Sequence, residues 1–366
     1  MADAMLVQRA KNLLERLAQQ PRFAGSAGES RARAICREEL SRAGFSCRDL
    51  PFEFSEWPAR WGPPIAAILQ LGMVLAMIAL AARGNALDGL ILAAAMTLGL
   101  GMVARRARQR GVLSFRYGRS RSANLEAVRG RPRVWLVAHL DSKSQTVPML
   151  VRIAGTIALQ AISVITVVMV LSSAAGFTHS AGPWAALGIA AAVAAIPVAI
   201  CFVGDESPGA VDNATGVVAV ILAAQASEPD SLGVLITSGE ELGLAGARAW
   251  TQSASKGICV VNCDTIDDAG GWRCMYTGTL PGSISSATRI AAGGLGMSVR
   301  VSRLIPGILA DSIAFADAGM QAVTLSRGTL STLARIHTRR DTSNGLTGRG
   351  AADASVFLSA LAKELS

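Results

Sequence analysis

The fold follows from the stretch Val134-Trp135-Leu136-Val137-Ala138-His139-Leu140-Asp141, in which an unbroken apolar run leads directly into a histidine and an aspartate. An apolar run of this length is typical of a strand that is covered on both faces. His139 and Asp141 are two residues apart, so an extended backbone points both side chains to the same side. The stretch therefore predicts a buried strand that ends in two polar side chains.

Short apolar runs and helical patterns alternate along much of the remaining chain. The further strand candidates are Phe45–Phe54, Val112–Tyr117, Asn124–Val128, Gly233–Thr237, Ile258–Asn262 and Ala322–Leu325. The helix candidates after Gly204 are Gly216–Ala226, Ala245–Ser253, Ser283–Gly293, Ser312–Ala318 and Gly350–Leu365. This alternation predicts an α/β fold with a mostly parallel or mixed central sheet covered by helices.

Four long stretches that are nearly free of charge interrupt this pattern. They are Ile65–Ala82, Leu87–Ala104, Ile153–Phe177 and Trp184–Val203. A membrane span needs ~20 such residues, and the short connections join the four stretches into two antiparallel pairs. We therefore expect transmembrane hairpins over residues 64–104 and 151–203. Residues 1–60, 106–150 and 204–366 then form one discontinuous domain.

The net charge of +9 is concentrated next to the second apolar stretch. The arginines there are Arg105, Arg106, Arg108 and Arg110, followed by Arg116, Arg119 and Arg121. Because this run adjoins a span, contact with anionic lipid explains it better than nucleic-acid binding, and we expect no nucleic-acid partner. The hairpin turns contain only Arg83, so the positive-inside rule predicts that both termini face the cytoplasm, most simply at a plasma (inner) membrane. The six cysteines have no metal-ligand spacing, which agrees with a reducing compartment.

Polar side chains collect where the predicted strands end. His139 and Asp141 follow the first strand, Glu240 and Glu241 follow Gly233–Thr237, and Asp264 follows Ile258–Asn262. In an open α/β sheet, ligands bind at the carboxyl ends of the strands. Asp141 is placed to orient the imidazole of His139, and the adjacent glutamates suit one metal ligand and one base.

Asp212 lies in a loop, Val211-Asp212-Asn213-Ala214-Thr215-Gly216, where a carboxylate can bridge two cations. Two metals ~3.5–4 Å apart polarise a carbonyl and supply hydroxide near neutral pH. Any one of these fragments alone would be an ordinary acidic loop, but together they indicate a dimetal hydrolytic site. His179 lies in the turn of the second hairpin, and we expect it to be a surface residue rather than a ligand.

As a set, the motifs resemble those of the co-catalytic zinc aminopeptidases, metallopeptidase family 28, whose zinc-exopeptidase fold is phosphorylase/hydrolase-like. The matching segments are His139-Leu140-Asp141, Asp212-Asn213-Ala214-Thr215-Gly216, Gly239-Glu240-Glu241-Leu242-Gly243-Leu244-Ala245-Gly246, Asn262-Cys263-Asp264 and His337-Thr338-Arg339-Arg340-Asp341-Thr342, with Gly25-Ser26-Ala27-Gly28 upstream. The resemblance covers the whole chain except the two hairpins, which would make it a membrane-embedded variant.

The resemblance implies two Zn²⁺ ions, with Co²⁺ or Mn²⁺ as other candidate cations. By the family pattern, His139 and Asp264 would bind the first ion, Glu241 and His337 the second, and Asp212 would bridge them. Glu240 would be the general base and Asp141 would orient His139. Two positions depart from the family: Ile336 replaces a frequent tyrosine, for which Tyr276 could substitute, and Ser312 replaces the histidine of an SDH segment.

The leading interpretation is therefore a membrane-anchored aminopeptidase that releases N-terminal residues from a peptide, which could itself be membrane-derived. A glutaminyl-cyclase-like or carboxypeptidase-like relative is a second interpretation. A catalytically inactive membrane receptor or scaffold is a third. Dead relatives typically lose ligands or the base, whereas Glu240 is present. The sequence leaves the oligomeric state open.

Overall fold

A computed structural model describes residues 2–106, 111–227, 232–255, 257–305 and 307–366. Arg108 and Arg110, which belong to the arginine run expected at the lipid surface, lie outside these residues. The chain divides into two compact units. The larger unit comprises residues 1–55, 118–144 and 205–366, and the smaller comprises residues 56–117 and 145–204. We call them the catalytic unit, after the hydrolytic site expected in it from the sequence, and the hairpin unit.

The catalytic unit is built around one eight-stranded sheet with the strand order β1-β2-β6-β3-β7-β10-β8-β9. The strands are β1 (Ser46–Ser55), β2 (Arg119–Val128), β3 (Val134–His139), β6 (Leu232–Thr237), β7 (Cys259–Ile266), β8 (Gly271–Tyr276), β9 (Val299–Arg303) and β10 (Gln321–Gly328). Strands β6, β3, β7 and β10 run parallel, whereas β1, β2 and β8 introduce antiparallel pairs. The α/β fold with a mixed sheet, expected from the sequence, is confirmed.

Nine helices of this unit surround the sheet in the described part of the chain. They are α1 (Ala4–Leu17), α2 (Ala27–Arg42), α8 (Thr215–Ala226), α9 (Ala245–Trp250), α10 (Gly282–Gly294), α11 (Ser312–Asp317), α12 (Leu330–Arg335) and α13 (Arg349–Leu365), with a π-helical turn at Ala210–Ala214. Trp135 of β3 packs with Trp250 and Phe315 in one apolar cluster. Because side chains alternate along a strand, Leu136 points to the opposite face of the sheet.

The hairpin unit contains four long helices in two sequence pairs. They are α3 (Trp57–Ala82), α4 (Ala86–Arg106), α6 (Met149–Ala174) and α7 (Ala181–Ala199). All four are long and apolar enough to cross a membrane. The short helix α5 (Val112–Ser114) follows α4, and the strands β4 (Ser144–Gln145) and β5 (Val203–Gly204) pair at the two ends of the second hairpin. Gly155 lets α6 approach α7, since a Cβ there would lie 2.6 Å from the Pro197 ring.

Three local expectations differ from the structure. The strand expected at Val112–Tyr117 is wrong, because Val112–Ser114 is helical and the next strand, β2, begins at Arg119. Strands β8 and β9 were not expected from the sequence. β8 lies next to the edge strand β9, and both lack the continuous apolar run that marks the central strands.

Candidate metal centre

His139 is the last residue of β3, and its ring lies fully inside the catalytic unit. Its Nδ1 atom lies 3.0 Å from the backbone oxygen of Asp141 and 3.7 Å from the Asp141 carboxylate. Its Nε2 atom lies 3.2 Å from Asp212 Oδ1 and 3.5 Å from Asp264 Oδ1. Asp141 thus contacts Nδ1 of the imidazole, and Nε2 faces two carboxylates. In metal sites, a partner such as Asp141 orients the metal-binding histidine in this way.

Asp212 lies between the two histidines of the site. Its Oδ2 atom is 3.0 Å from Nε2 of His337, while Oδ1 faces His139. The backbone N–H groups of Val211 and Asp212 donate to the carboxylate of Asp341, at 2.9 and 3.1 Å. These bonds fix the non-helical backbone of Asp212, so each of its oxygens is aimed at a different imidazole.

The two glutamates follow β6 in a tight turn that the carboxylate of Asp141 organises. The backbone N–H groups of Glu240 and Glu241 each donate to one Asp141 oxygen, both at 3.2 Å. Glu241 Oε1 lies 3.0 Å from His337 Nε2. Asp141 therefore joins the end of β3 to the glutamate turn, through its backbone oxygen on one side and its carboxylate on the other.

His337 follows α12 and has a backbone φ of 60°, a left-handed conformation that is uncommon for a residue other than glycine. Such conformations persist where surrounding contacts hold them, and they concentrate at functional sites. Here the conformation places Nε2 3.0 Å from both Asp212 and Glu241.

These side chains form two groups that could each hold a cation, and Asp212 is common to both. The groups are His139, Asp212 and Asp264, and Asp212, Glu241 and His337; within each, the ligand atoms lie within 4.8 Å of one another. We call them the first and the second half-site. Glu241 Oε1 is buried beside His337 Nε2 but forms no hydrogen bond of normal geometry among the described residues, as expected of two ligand atoms that face one cation. The donor set of imidazole nitrogen and carboxylate oxygen suits zinc.

The family follows from a comparison of sequences. Residues 123–361 match the profile of peptidase family M28, a match that includes both half-sites. The chain belongs to peptidase family M28. Membership assigns the chain to a family of metallopeptidase hydrolases. A search of curated protein sequences found no match.

Solved structures with this fold include aminopeptidases and glutaminyl cyclases. An aminopeptidase from Aneurinibacillus sp. strain AM-1 is 14% identical, with 98% of this chain and 93% of that chain covered and a TM-score of 0.58. A zinc aminopeptidase from Bacillus subtilis is 13% identical, with coverage of 97% and 94% and a TM-score of 0.55. A glutaminyl cyclase from Fimbriiglobus ruber is 14% identical, with coverage of 100% and 97% and a TM-score of 0.55. At these identities the likeness concerns the fold alone.

Burial and crowding shift the pKa values of the M28 site. Burial disfavours the charged imidazole of His139, but Glu240 and the other carboxylates raise its pKa well above the ordinary value. Burial likewise opposes the charge on His337, whose pKa the Glu241 carboxylate raises to about 9. Burial raises the pKa of Glu240 well above its ordinary value. For Asp212 burial acts in the same direction, but the two imidazoles lower its pKa overall. The cluster gathers buried negative charge that a divalent cation would compensate.

The two departures from the M28 pattern are both close to the site in sequence and in the fold. Ile336, immediately before His337, is buried. Asp311, which precedes the unusual Ser312, accepts a hydrogen bond from Thr237 Oγ1 at 2.5 Å, and Thr237 is the register partner of His139. Burial raises the pKa of Asp311 to about 7. His179, expected to be a surface residue, is an exposed part of the hairpin unit.

Sequence reasoning missed Arg22 and Lys143, and it listed Asp341 in a family motif without giving that residue a role. Arg22 is fully buried and donates to the backbone oxygens of Leu140 at 2.8 Å and Gly209 at 2.9 Å, so it joins the loops that carry Asp141 and Asp212. The carboxylate of Asp341 accepts hydrogen bonds from the backbone N–H groups of Val211 and Asp212 and so fixes the loop that carries Asp212. Lys143 forms an ion pair with Glu241. Arg22 had no local signal, whereas Asp341 and Lys143 lie close in sequence to proposed ligands.

Proposed function

We propose that this M28 protein is a membrane-anchored aminopeptidase with a two-cation centre. The observation that carries the proposal is the sharing of Asp212: one carboxylate faces both imidazoles, and a further carboxylate completes each half-site. A carboxylate in this position bridges paired metals in hydrolytic enzymes that use two ions.

The proposed ligands follow from these contacts. His139 and Asp264 would hold one ion, Glu241 and His337 the other, and Asp212 both. Zinc, with cobalt or manganese as substitutes, would supply Lewis acidity to the substrate carbonyl and to the attacking water. Asp141 would fix the tautomer of His139 and the position of the glutamate turn, since it contacts both.

Glu240 would act as the general base. It adjoins the ligand Glu241 in the same turn and is buried, and a carboxylate positioned next to the attacking water is a common general base. It would accept a proton from water as the water oxygen attacks the carbonyl carbon. It would return that proton to the leaving amine when the peptide C–N bond breaks.

The anchoring proposal rests on the four apolar helices of the hairpin unit. We place them across a plasma (inner) membrane, with the turns outside and the catalytic unit in the cytoplasm, because the turns contain a single basic residue, Arg83, whereas a run of arginines follows the second apolar stretch. The second hairpin begins after Ser144 and ends before Asp205. In sequence it therefore lies between Asp141, which supports His139, and the proposed ligand Asp212. A peptide derived from the membrane is therefore the proposed substrate class. A reporter fused at Ser366 that is active only outside the cytoplasm would overturn this orientation.

The decisive experiment separates hydrolysis from cyclisation, because glutaminyl cyclases share the fold. The full chain, purified in detergent, is incubated with a peptide that begins with leucine and with one that begins with glutamine. An aminopeptidase releases the free first residue from the leucine peptide. A cyclase instead releases ammonia from the glutamine peptide and leaves the chain length unchanged.

Metal removal completes this test. Chelation should abolish residue release, and zinc should restore it. Loss of ammonia without release of a residue would replace the aminopeptidase by a cyclase. A chain that binds metal but changes neither peptide would favour the receptor or scaffold interpretation, whereas release of the last residue instead of the first would favour a carboxypeptidase.

A further inference from the structure

A cavity of about 640 Å³ opens in the catalytic unit at the end of the sheet opposite the metal centre. It lies beside Trp135, near the start of β3, and Ile258, immediately before β7. The proposed ligands His139 and Asp264 lie toward the carboxyl ends of the same two strands. Trp135 and His139 are four residues apart in β3, so ~13 Å of extended strand separates them. A ligand in this cavity would therefore not reach the metal-binding side chains.

Two tryptophan rings and a buried carboxylate line the cavity. The rings of Trp135 and Trp250 meet edge to face, with their centroids 4.8 Å apart. Trp250 Nε1 donates to Glu126 Oε2 at 2.8 Å, and Arg48 Nη2 lies 2.6 Å from Glu126 Oε1. Both oxygens of Glu126 thus have partners, and Arg48 balances its charge. The lining therefore presents apolar ring surface beside a carboxylate that is already paired.

The same lining contains donors that have no partner in the described part of the chain. Trp135 is only 6% exposed, yet its indole N–H forms no hydrogen bond with a described residue. A tryptophan buried to this extent usually pairs its N–H group. Arg131 forms no ion pair with a described residue, and Arg48 uses Nε and Nη2 on Glu126 but not Nη1. An acceptor on a ligand would supply the missing partners.

The charged groups that line the cavity favour an anion. They are the guanidinium groups of Arg48 and Arg131 against the single carboxylate of Glu126. Arg131 precedes Pro132, and a residue before proline is restricted to extended backbone, which limits the positions that its guanidinium can reach. A guanidinium group binds a carboxylate through two parallel N–H groups. Tryptophan rings, in turn, bind an aromatic or apolar body.

We propose that this cavity binds a small organic carboxylate that has an aromatic or apolar body. Its carboxylate accepts from the Trp135 N–H and pairs with Arg131, while its body packs against Trp135 and Trp250. The cavity volume suits such a ligand, because small-molecule sites enclose about 300–1,000 Å³. The inference does not depend on the proposed function, because none of the proposed metal ligands lines the cavity.

The test titrates the metal-free full chain in detergent with naphthoate, followed by calorimetry against a detergent-only blank. We expect one molecule to bind per chain with a Kd of about 1 mM, which is ordinary for a ligand of this size. Naphthalenemethanol has the same rings and no charge, and it should bind at least about ten-fold more weakly. Inorganic phosphate has the charge without the apolar body and should also bind at least about ten-fold more weakly.

Two variants locate the probe. Trp135→Phe retains an aromatic ring and removes the N–H, so the Kd for naphthoate should rise about 10–100-fold. Arg131→Gln should raise the Kd about 2–5-fold and reduce its dependence on salt, because Arg131 is exposed. Trp272→Phe on β8 and Arg300→Gln on β9 are the matched controls and should leave the Kd unchanged, because neither residue lines the cavity. Thermal unfolding establishes that each variant is folded.

Naphthalenemethanol or phosphate that binds as tightly as naphthoate would overturn the inference, as would an unchanged Kd in folded Trp135→Phe. If Trp135→Phe does not fold, an unchanged Kd and salt dependence in Arg131→Gln would overturn it instead. Binding that requires zinc, or that disappears with His139→Ala, would place the probe at the metal centre and would also count against the cavity. The proposed function fails separately. Naphthoate binding that depends on Trp135, in a chain that hydrolyses no peptide, would support this inference and remove the aminopeptidase.

Discussion

The catalytic unit keeps charged side chains inside, whereas the hairpin unit places large apolar side chains outside. His139, Asp141 and Asp212 are buried together in the first unit. In the second, Ile157 and Val164 on α6 are 65% and 63% exposed. Buried charge persists where a partner or a metal compensates it, and exposed apolar surface of this extent persists where the surroundings are apolar. The comparison is what we expect if the hairpin unit lies in a membrane, as proposed, and the catalytic unit in water.

The largest effect is expected on kcat, from a substitution of the proposed general base Glu240. Glu240→Gln should lower kcat by about 10²–10⁴-fold, because the amide cannot accept a proton from water. Metal content should stay at the wild-type value, since Glu241 and not Glu240 is the proposed ligand. Steady-state kinetics and metal analysis check both expectations. Glu15→Gln, at an exposed position of α1, is the control. Unchanged kcat in the Glu240 variant would remove Glu240 from the mechanism.

A charge introduced on the exposed apolar face tests the other half of the comparison. Val164→Arg lies near the middle of α6 and should raise the apparent insertion free energy of this helix by about 2.5–3.5 kcal/mol. Ile290→Arg on α10 of the catalytic unit begins from a similar exposure, 58% against 63%. Its effect on stability should stay within about 0.5 kcal/mol, because this surface contacts water.

A membrane-insertion assay measures the first variant, and thermal unfolding measures the second. If Val164→Arg and Ile290→Arg were tolerated equally well, the proposal that α6 faces lipid and α10 faces water would be contradicted. That outcome would mean that the exposed face of α6 contacts water or another protein.

A smaller effect is expected from a buried carboxylate that supports ligands without binding metal. In Asp141→Asn one carboxylate oxygen becomes an amide N–H₂, which cannot accept from the backbone N–H of Glu240 or Glu241. The glutamate turn then loses one support, and Co²⁺ affinity should fall by about 10–100-fold. Asp353→Asn is a matched control, because Asp353 is buried and also accepts a backbone N–H, from Ala2 at 3.0 Å. Loss of stability with unchanged Co²⁺ affinity would make Asp141 purely structural.

How far the sequence predicts the molecule differs between the two units. The four apolar helices were predictable because length and absence of charge are local properties. The parallel strands β3, β6 and β7 were predictable for a similar reason, since each is a continuous apolar run. Strands β8 and β9 were not, because neither has a continuous apolar run and their burial depends on which neighbours the fold supplies.

The same division applies within the site. The proposed ligands could be named from the sequence because they follow predicted strands or lie in family motifs. Asp141 could be named as a support because it lies two residues from His139, whereas Arg22 and Lys143 could not, because each acts through a long-range contact. Arg22 lies far in sequence from Leu140 and Gly209, and Lys143 reaches Glu241 on a neighbouring strand end. The sequence lists these residues but does not show which of them lie close together in the fold.

The smallest effect is expected from a polar contact inside the hairpin unit. Gln70 of α3 donates through Nε2 to Ser163 Oγ of α6 at 2.9 Å, and Ser163 donates to the backbone oxygen of Leu159 at 2.8 Å. A side-chain hydrogen bond between membrane helices contributes about 0.6 kcal/mol on average, because each partner finds other groups when the helices separate. A double-mutant cycle with Gln70→Leu and Ser163→Ala should therefore give a coupling energy of about this size.

The matched contact in the catalytic unit is made by Asn124. It is buried, donates to the backbone oxygen of Gly246 at 2.8 Å, and accepts from the backbone N–H of Ser238 at 3.0 Å. Asn124→Ala removes the acceptor of the buried Ser238 N–H and one donor to the Gly246 oxygen, and should cost more, about 1–3 kcal/mol. Denaturant unfolding in detergent measures both effects. A Gln70–Ser163 coupling as large as the Asn124 effect would mean that the hairpin helices have no alternative polar partners, and the two units would then resemble each other in the energetics of their buried hydrogen bonds.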